Sequence, residues 1–384
     1  MRDPFSLRVP TRVQFGDGIS AQVGDVLPRT ARRVAVLRGA KGVASQPIVT
    51  ALENQGLSVH QLACAGEPSV ASVNDAVKAF AGQDIDVVVA CGGGSVIDTG
   101  KAVAFCLGHD IHLTDTFSDV LPGPLLSRTS PVPFVAIPTT AGTGAEVTSN
   151  AVLDVPSKRA KVSLRGDGLY AAHALVDPVL LPSAPSATVL SSGLDAVVQT
   201  IEAYTSTAAT PFSDALTAPN IRLGLRALKQ VLETNDMGAW RDLAWVSLAS
   251  GIALANSGLG AAHGVASVLG GRYGAPHGAL CGRLLLPVLR QNLSACAARS
   301  DTHARLQTCM AAIDSVFPPA PGRDALSGLE TWQDIQGLPR LADLGVRDEA
   351  IPSLAEHSAG ASSSQKNAVP LKIGAYESIL RSAL

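Results

Sequence analysis

Asp86-Val-Val-Val-Ala-Cys91 is followed at once by Gly92-Gly-Gly-Ser95 and then by a helical pattern through Lys101 and Phe105. A short, nearly continuous apolar run of this kind is typical of a strand that is buried on both faces of a parallel sheet. In open parallel sheets, ligands bind at the carboxyl ends of strands, where the next helix offers free N–H groups to a phosphate. The stretch therefore predicts a strand, a loop suited to phosphate, and a helix.

Neither common sequence signature of nucleotide binding is complete in this loop. It lacks the G-x-G-x-x-G spacing of the dinucleotide fingerprint, and Ala102 stands where a P-loop requires Ser or Thr. A tight turn with close helix packing would explain the three glycines equally well. A second loop, Thr139-Thr-Ala-Gly-Thr-Gly-Ala-Glu146, follows another predicted strand and brings three hydroxyl groups. Two such loops, each at the end of a strand, favour nucleotide binding.

The order of strand and helix patterns divides the chain into two parts. In the first part the two patterns alternate, which is typical of a doubly wound α/β domain with a parallel sheet. From about residue 183, after a Pro-rich segment, only Ala- and Leu-rich helical patterns follow. We expect an α/β dinucleotide-binding domain over residues 1–182 and an all-α domain over residues 183–384, with a ligand cleft between them. The predicted strands are 33–37, 57–62, 86–91 and 133–137, and the other predicted helices are 48–55, 70–80, 187–206, 212–232, 240–255 and 260–269.

Composition argues against several classes of protein. The chain has 384 residues, enough for two domains with cores of their own, and only 16% of them are charged. A net charge of −2 without a basic cluster argues against a nucleic-acid partner. The sequence has no apolar run of the roughly 18 residues that a membrane span needs, and its first residues lack the apolar core of a signal peptide. The six cysteines include no Cys-x-x-Cys pair, so we expect free thiols in a cytoplasmic protein.

Two histidines enclose a small, apolar and Gly-rich run, His263-Gly-Val-Ala-Ser-Val-Leu-Gly-Gly-Arg-Tyr-Gly-Ala-Pro-His277. The chain has only eight histidines, so two of them in such a run call for an explanation. Neutral imidazole is a common metal ligand and proton shuttle, and glycine lets the backbone pass close to a ligand. Hydrogen-bonded core histidines would explain the pair equally well. The run alone does not decide between these two interpretations.

Further motifs stand in order along nearly the whole chain, and together they resemble the iron-containing, or group III, alcohol dehydrogenase family. The resemblance implies the dehydroquinate synthase-like architecture of that family, with an N-terminal dinucleotide-binding domain and a helical, metal-carrying C-terminal domain. It implies hydride transfer between NAD(P)(H) and a small alcohol or aldehyde, and a homodimer. The ending Asn367-Ala-Val-Pro-Leu371 is similar to the shorter members, including the maleylacetate reductases. The motifs are Pro10-Thr-Arg-Val-Gln-Phe-Gly16, the stretches 92–101 and 138–148, Ala174-Leu-Val-Asp-Pro178, Gly193-Leu-Asp-Ala196, Ile201-Glu-Ala-Tyr204 and the stretch 263–277.

The resemblance also implies which residues bind the cofactor. NAD-preferring members often carry an acid, for the adenosine 2′-hydroxyl, at a strand end that here reads Arg38-Gly39, with Lys41 nearby. Because no acid repels a 2′-phosphate there, we expect NADP(H) to serve at least as well as NAD(H); two ordinary solvated charges are the alternative interpretation. The family's pyrophosphate loop is matched by Gly93, Gly94, Ser95 and Asp98. Its loop at the phosphate and nicotinamide ribose is matched by Thr139, Thr140 and Thr143. Further cofactor contacts are matched by Asn150 and Lys161, to which we add Gly39.

For the metal, the resemblance assigns Asp195 as the carboxylate ligand and His263 and His277 as two of three histidines. Gln199 stands where the first histidine is expected. Its i,i+4 spacing keeps it on the helix face of Asp195, but an amide oxygen is a weaker donor than imidazole to a divalent transition metal. We therefore expect Asp195, Gln199, His263 and His277 to form a weakened site for Fe²⁺ or Zn²⁺. Ser267 replaces a further histidine that the family often has.

Three functions remain open at this point. The main one is an NAD(P)-dependent alcohol dehydrogenase. With a metal, the ion would polarise the substrate oxygen; without a metal, His263 or His277 would donate a hydrogen bond or proton to the developing alkoxide. The first alternative is a metal-free, maleylacetate-reductase-type enzyme for an anionic substrate, with Arg272 and Lys366 as basic candidates; such enzymes typically lack the Asp that is kept here. The second is a catalytically impaired member kept as a binding or assembly subunit, which Gln199 favours and the retained ligands oppose.

Overall fold

The computed structural model describes residues 4–117, 121, 123–158 and 160–384. The chain forms two compact units, Val9–Pro185 and Ser186–Leu384, and the N-terminal segment that ends at Arg8 belongs to the second. Two hydrogen bonds hold that segment: the Arg8 backbone N–H donates to Asn256 Oδ1 at 2.7 Å, and the Asn256 amide donates to the Arg8 carbonyl at 3.1 Å. The predicted combination of an α/β part and an all-α part is confirmed.

The N-terminal unit contains a six-stranded sheet in which every neighbouring pair is parallel. The strand order is β1-β8-β5-β4-β2-β3, and a separate antiparallel hairpin joins β6 to β7. Chain order and sheet order differ because β3 lies on one side of β2, while the chain then returns to place β4 on the other side. The strands are β1 Arg12–Phe15, β2 Arg33–Gly39, β3 Ser58–Cys64, β4 Val87–Gly92, β5 Phe134–Pro138, β6 Asn150–Val155, β7 Ala160–Arg165 and β8 His173–Val176.

Helices cover both faces of this sheet, and the central strand β4 is buried on both sides as its sequence predicts. Val88 and Ala90 belong to one apolar core, and Val87, Val89 and Cys91 belong to the other. Burying each such valine contributes roughly 1.5–3 kcal/mol, so a strand of this composition is stable only in the middle of the sheet. Helices α2 and α3 pack in the first core and α1 in the second. The helices are α1 Gln46–Asn54, α2 Val70–Phe80, α3 Gly94–His109 and the short α4 Gly123–Leu126.

The regular secondary structure of residues 186–384 consists of helices alone. The central helix α5 is buried along most of its length, and its buried polar side chains include two carboxylates and one amide, Asp195, Glu202 and Gln199. Buried polar groups are costly unless they have partners, so these three positions call for an explanation. The helices are α5 Ser186–Thr205, α6 Pro211–Thr234, α7 Met237–Ser257, α8 Ala261–Tyr273, α9 His277–Ala295, α10 Asp301–Val316, α11 Ser327–Ile335, α12 Ile351–Gly360 and α13 Ile373–Ser382.

The sequence patterns identified most of the long elements, but they named no helix after residue 269 and so missed the long helices α9 and α10 as well as the short or mixed elements. The four predicted strands correspond to β2–β5, and the predicted helices correspond to α1–α3 and α5–α8. β1 and β8 were missed because each has only four residues, and the β6–β7 hairpin because charged residues interrupt its alternation. Within the described parts of the chain, no single helix is long and apolar enough to cross a membrane, although α7 and α8, bent by 97°, pass that test as a pair.

Candidate active site

The two glycine-containing loops lie side by side at the carboxyl edge of the sheet. Gly92 and Pro138 are in register on β4 and β5, and the Thr139 N–H donates to the Gly92 carbonyl at 2.9 Å. A side chain at Gly94 would meet Thr143, since its Cβ would lie 3.0 Å from Thr143 Oγ1. The first loop follows β4 and so borders the point where the chain order reverses between β2 and β4, which is where open α/β sheets bind ligands.

The first loop opens helix α3 without a side-chain cap. Gly93 is the N-cap residue, and it has no side chain with which to cap the first turn. Uncapped N–H groups at a helix N-terminus form a ready anion site. Gly93, Gly94 and Ser95 are all partly accessible, and so are Thr139, Thr140 and Thr143 on the neighbouring loop. The structure therefore brings six of the predicted cofactor residues to one place.

Asp98 and Lys101 connect α3 to the hairpin that carries Asn150. Asp98 Oδ2 accepts the Val152 N–H at 2.9 Å, and Lys101 Nζ donates to the Asn150 carbonyl at 2.7 Å and to Thr148 Oγ1 at 3.0 Å. Lys101 Nζ lies 3.5 Å from Asp98 Oδ1. Burial raises the pKa of the Asp98 carboxyl and lowers the pKa of the Lys101 ammonium group. Asp98 thus positions the hairpin, whatever else it contacts.

The remaining predicted cofactor residues stand around the ends of β2, β6 and β7. Arg38 Nη1 donates to the Gly39 and Ala40 carbonyls, each at 3.3 Å, and Nε donates to Gln61 at 3.2 Å. Nothing lies within 4 Å of a Cβ built on Gly39, so that position faces open space. Lys161 Nζ forms an ion pair with Glu67 Oε2 at 3.3 Å.

In the helical unit, four side chains from three helices converge on one point. The potential ligand atoms of Asp195, His263, His277 and Cys281 all lie within 4.8 Å of one another. Asp195 Oδ1 is 3.2 Å from His263 Nε2 and 3.9 Å from His277 Nε2, and Cys281 Sγ is 3.6 Å from His277 Nε2. Asp195, His263 and His277, predicted as metal ligands, therefore meet, and Cys281 joins them.

Glycines allow the close helix packing that produces this convergence. A Cβ on Gly278 would collide with the Ser191 carbonyl, and one on Gly282 would lie 2.6 Å from Leu194 Cδ1. Helix α9 can therefore lie directly against α5. His277 is its first residue and Cys281 follows one turn later, so both side chains reach Asp195.

Glu202 supplies a second carboxylate next to the cluster. Its Oε2 lies 2.8 Å from His263 Nδ1 and 2.9 Å from the Gly260 N–H, and its Oε1 accepts the Ala262 N–H at 2.7 Å. A carboxylate that accepts from Nδ1 fixes the proton there and directs Nε2, with its lone pair, at a metal. Glu202 also caps the N-terminus of α8, where Gly260 offers no side chain.

The pKa values of Asp195, His263 and His277 are shifted toward the charged form of each side chain. Burial alone would raise the pKa of Asp195, but His277 and a hydrogen bond with His263 bring it below its usual value. Burial would likewise lower the pKa of the histidines, but neighbouring Cys281 and Asp195 raise that of His277 to about 8 and that of His263 well above its ordinary range. A divalent cation would take the place of these protons.

Of the other residues singled out from the sequence, Gln199 and Ser267 form hydrogen bonds with protein groups. Gln199 is buried, and its Nε2 donates to Ser250 Oγ at 2.8 Å. Ser267 Oγ donates to the Gly264 carbonyl at 2.8 Å, within its own helix. Arg272, in the last turn of α8, and Lys366 are exposed.

Sequence reasoning missed two participants, Cys281 and Glu202. All six cysteines are free, as predicted, and Cys281 is buried like most of them. Its i,i+4 spacing from His277 was the available signal. Glu202 lies seven residues after Asp195 on the same helix, a spacing that places both carboxylates on one face.

The donors present suit a divalent transition metal. One carboxylate oxygen, two imidazole nitrogens and one sulfur form a set that Zn²⁺ or Fe²⁺ accepts, and the carboxylate behind His263 is the usual outer partner of a metal-bound histidine. In a tetrahedral site with bonds of 2.0–2.3 Å, ligand atoms stand about 3.3–3.7 Å apart. The separations of 3.2, 3.6 and 3.9 Å are close to that spacing.

Comparison with known proteins agrees with this geometry. The family model for iron-containing alcohol dehydrogenases matches residues 10–178, and the model for the C-terminal part of that family matches residues 189–384. Alcohol dehydrogenase 4 of Saccharomyces cerevisiae is 29% identical over 357 residues, with 91% of each chain covered. The 1,3-propanediol dehydrogenase of Klebsiella pneumoniae is 32% identical over 300 residues, which are 75% of this chain and 73% of that one. A crystal structure of a 1,3-propanediol oxidoreductase superimposes with a TM-score of 0.84 at 28% identity, with 100% of both chains covered. The chain therefore belongs to the iron-containing alcohol dehydrogenase family, and it is an oxidoreductase that acts on CH–OH groups.

Proposed function

We propose that this enzyme interconverts a small alcohol and its aldehyde, with NAD(P)(H) as the hydride carrier and a divalent metal in the helical unit. The observation that carries the proposal is the convergence of Asp195, His263 and His277, contributed by three helices. The relatives named for 1,3-propanediol and other alcohols support small alcohols or aldehydes as substrates. The redox chemistry belongs to the cofactor, so the protein's task is to hold and orient the reactants.

The N-terminal unit is proposed to hold the dinucleotide. The uncapped start of α3 would receive the pyrophosphate through backbone N–H groups. Thr139, Thr140 and Thr143 on the adjacent loop would hydrogen-bond the phosphate and the nicotinamide ribose. Their hydroxyl groups stand next to the glycines, as the short Gly94–Thr143 approach indicates. This arrangement supports the assignment of both loops to one cofactor.

NADP(H) is proposed to serve at least as well as NAD(H). The end of β2 carries Arg38 and Gly39, so no carboxylate there would repel a 2′-phosphate. The Arg38 guanidinium is held close by hydrogen bonds to the Gly39 and Ala40 carbonyls, which leaves its positive charge at this strand end. Lys41 adds a second, exposed positive charge.

In the helical unit, Asp195, His263 and His277 are proposed to hold Fe²⁺ or Zn²⁺. Such an ion would act as a Lewis acid on the substrate oxygen. Glu202 keeps the Nδ1 proton of His263 and thereby aims Nε2 at the ion. The buried positions of Asp195 and His263, 4% and 5% exposed, exclude water from that side of the site.

His277 is proposed as the histidine nearest the reacting oxygen. Its side chain is 35% exposed, whereas both ring nitrogens of His263 already have carboxylate partners. A pKa of about 8 means that a free His277 would carry a proton at neutral pH. If the enzyme worked without metal, His277 would therefore donate the hydrogen bond that stabilises the alkoxide.

Elemental analysis combined with a substrate screen tests the proposal. The purified protein, assayed with NADPH and with NADH on a panel of small aldehydes, is expected to reduce at least one of them and to lose that activity on chelation. Readdition of Zn²⁺ or Fe²⁺ should restore it. Chelator-insensitive reduction of a double bond in an anionic substrate would instead support the maleylacetate-reductase-type alternative. No activity with any substrate and either cofactor would contradict the dehydrogenase assignment.

A further inference from the structure

We propose that Cys281 is the fourth protein ligand of the metal, in the place that Gln199 was expected to fill, and that this thiolate makes the site selective for zinc. The inference deepens the proposed function, since it concerns the same site, but its test does not depend on catalytic activity. It rests on the position of the Cys281 sulfur, on the hydrogen bond from the Gln199 amide nitrogen to Ser250, and on the chemistry of the donor atoms.

The sulfur lies where a fourth ligand would have to be. Cys281 Sγ is 3.6 Å from His277 Nε2, and its distance from every other potential ligand atom in the group is at most 4.8 Å. A tetrahedral zinc ion with Zn–S near 2.3 Å and Zn–N near 2.0 Å separates the sulfur and nitrogen by about 3.5 Å. The helical repeat of α9 places Cys281, four residues after His277, on the same helix face, so both side chains can bind one ion.

The amide nitrogen of Gln199 has a structural role between two helices. Its Nε2 donates to Ser250 Oγ at 2.8 Å, and Ser250 Oγ donates to the Ser247 carbonyl at 2.9 Å. This chain of bonds joins α5 to α7, and Gln199 is only 2% exposed. A buried amide is stable because it is hydrogen-bonded in this way.

The exchange of an imidazole for a thiolate changes which metal the site prefers. Thiolate is a soft ligand that favours Zn²⁺ over hard cations, and sites for nitrogen and sulfur bind Zn²⁺ more tightly than Fe²⁺. Two anionic donors, Asp195 and Cys281, would balance the charge of a divalent ion inside a buried site. The loss of a histidine at position 199 is therefore compensated within the same cluster.

Cobalt substitution tests directly whether a thiolate binds the metal. Protein stripped by a chelator and reloaded with Co²⁺ is expected to show the near-ultraviolet charge-transfer band of a Co²⁺–thiolate bond. Cys281→Ser should abolish the band, while Gln199→Ala and Cys296→Ser should retain it. Cys296 is the matched control, since it is a free thiol at the other end of α9. Because loss of an outer partner already lowers metal affinity roughly 10–100-fold, Cys281→Ser is expected to lower Zn²⁺ affinity at least about 100-fold.

X-ray absorption of the wild-type zinc protein keeps the proposal testable if Cys281→Ser does not fold. One sulfur neighbour at about 2.3 Å is expected, with the remaining ligands nitrogen or oxygen. Absence of a sulfur neighbour, failure to bind Co²⁺ or Zn²⁺, or a thiolate band that survives Cys281→Ser would each overturn the assignment. A thiolate band without alcohol dehydrogenase activity would support the ligand assignment and contradict the proposed function. An active enzyme without the band would support the proposed function and contradict the ligand assignment.

Discussion

Glu202 Oε2 lies 2.8 Å from Nδ1 of His263, and the same carboxylate accepts the backbone N–H groups of Gly260 and Ala262. The Glu202 side chain on α5 thus fixes both the start of α8 and the orientation of the His263 ring. Both partners are almost fully buried, at 4% and 5% exposure. The geometry of the cluster formed by Asp195, His263, His277 and Cys281 therefore depends on a residue that is not itself a proposed ligand.

Replacing Glu202 by Gln tests this dependence. The amide has one acceptor oxygen for four N–H groups, those of the Gly260, Ala262 and His263 backbone and of His263 Nδ1, so it leaves buried N–H groups unsatisfied and no longer favours the Nδ1 proton of His263. We expect Zn²⁺ affinity to fall roughly 10–100-fold, measured by competition with a chromophoric chelator. Glu233→Gln, on an exposed position of α6, is the control and should leave affinity unchanged. Equal affinities in wild type and Glu202→Gln would show that the carboxylate acts only as a helix cap.

Gln199→Ala separates a structural role from a ligand role. The substitution leaves the buried Ser250 hydroxyl without its donor, which should lower the free energy of unfolding by about 1–3 kcal/mol. Metal content is expected to stay within a few-fold of the wild type. Denaturant unfolding and elemental analysis of the same preparation measure both quantities. In a double-mutant cycle with Ser250→Ala, the two losses should be less than additive because the residues share one hydrogen bond. A metal-free Gln199→Ala protein would make Gln199 a ligand.

Glu146 introduces a pH dependence into the stability of the N-terminal unit. Burial raises its pKa from 4.5 to about 7, an effect that its own backbone hydrogen bond and Lys101 only partly offset. Between these two values the folded state binds more protons at Glu146 than the unfolded state does. The stability contribution of the protonated form is therefore complete below pH 4.5 and is lost as the pH rises through about 7.

The check is the pH dependence of the difference in melting temperature between wild type and Glu146→Gln. As the pH rises from 4.5 to about 7, the wild type should lose stability relative to the variant, which cannot ionise. Glu53→Gln, on an exposed position of α1, should track the wild type across the same range. A difference that is constant with pH would contradict the buried, protonated Glu146.

Periodicity predicted the central strands, the family resemblance pointed to three residues of the candidate site, and neither was sufficient where tertiary packing decides. β4 was predictable because a strand buried on both faces must be apolar throughout, whereas β1 gave no such pattern because most of its residues are exposed. Asp195, His263 and His277 were identified through the family resemblance. Cys281 was not, because its sequence surroundings resemble those of any buried thiol. Only the close approach of α9 to α5, which Gly278 and Gly282 permit, brings the sulfur to the cluster.

Gly39→Asp tests the proposed cofactor preference. A carboxylate at the end of β2 would hydrogen-bond the adenosine 2′-hydroxyl of NADH and repel the 2′-phosphate of NADPH. The new side chain has room, since nothing lies within 4 Å of a Cβ at this position. We expect kcat/KM for NADPH to fall at least about tenfold, because like charges brought together cost several kcal/mol when desolvated. The value for NADH should stay level or rise. Gly39→Asn, which has the same shape without the charge, should keep the wild-type ratio of the two cofactors. If Asp and Asn shift that ratio equally, the effect is steric, and the absence of an acid at the end of β2 does not explain the use of NADP(H).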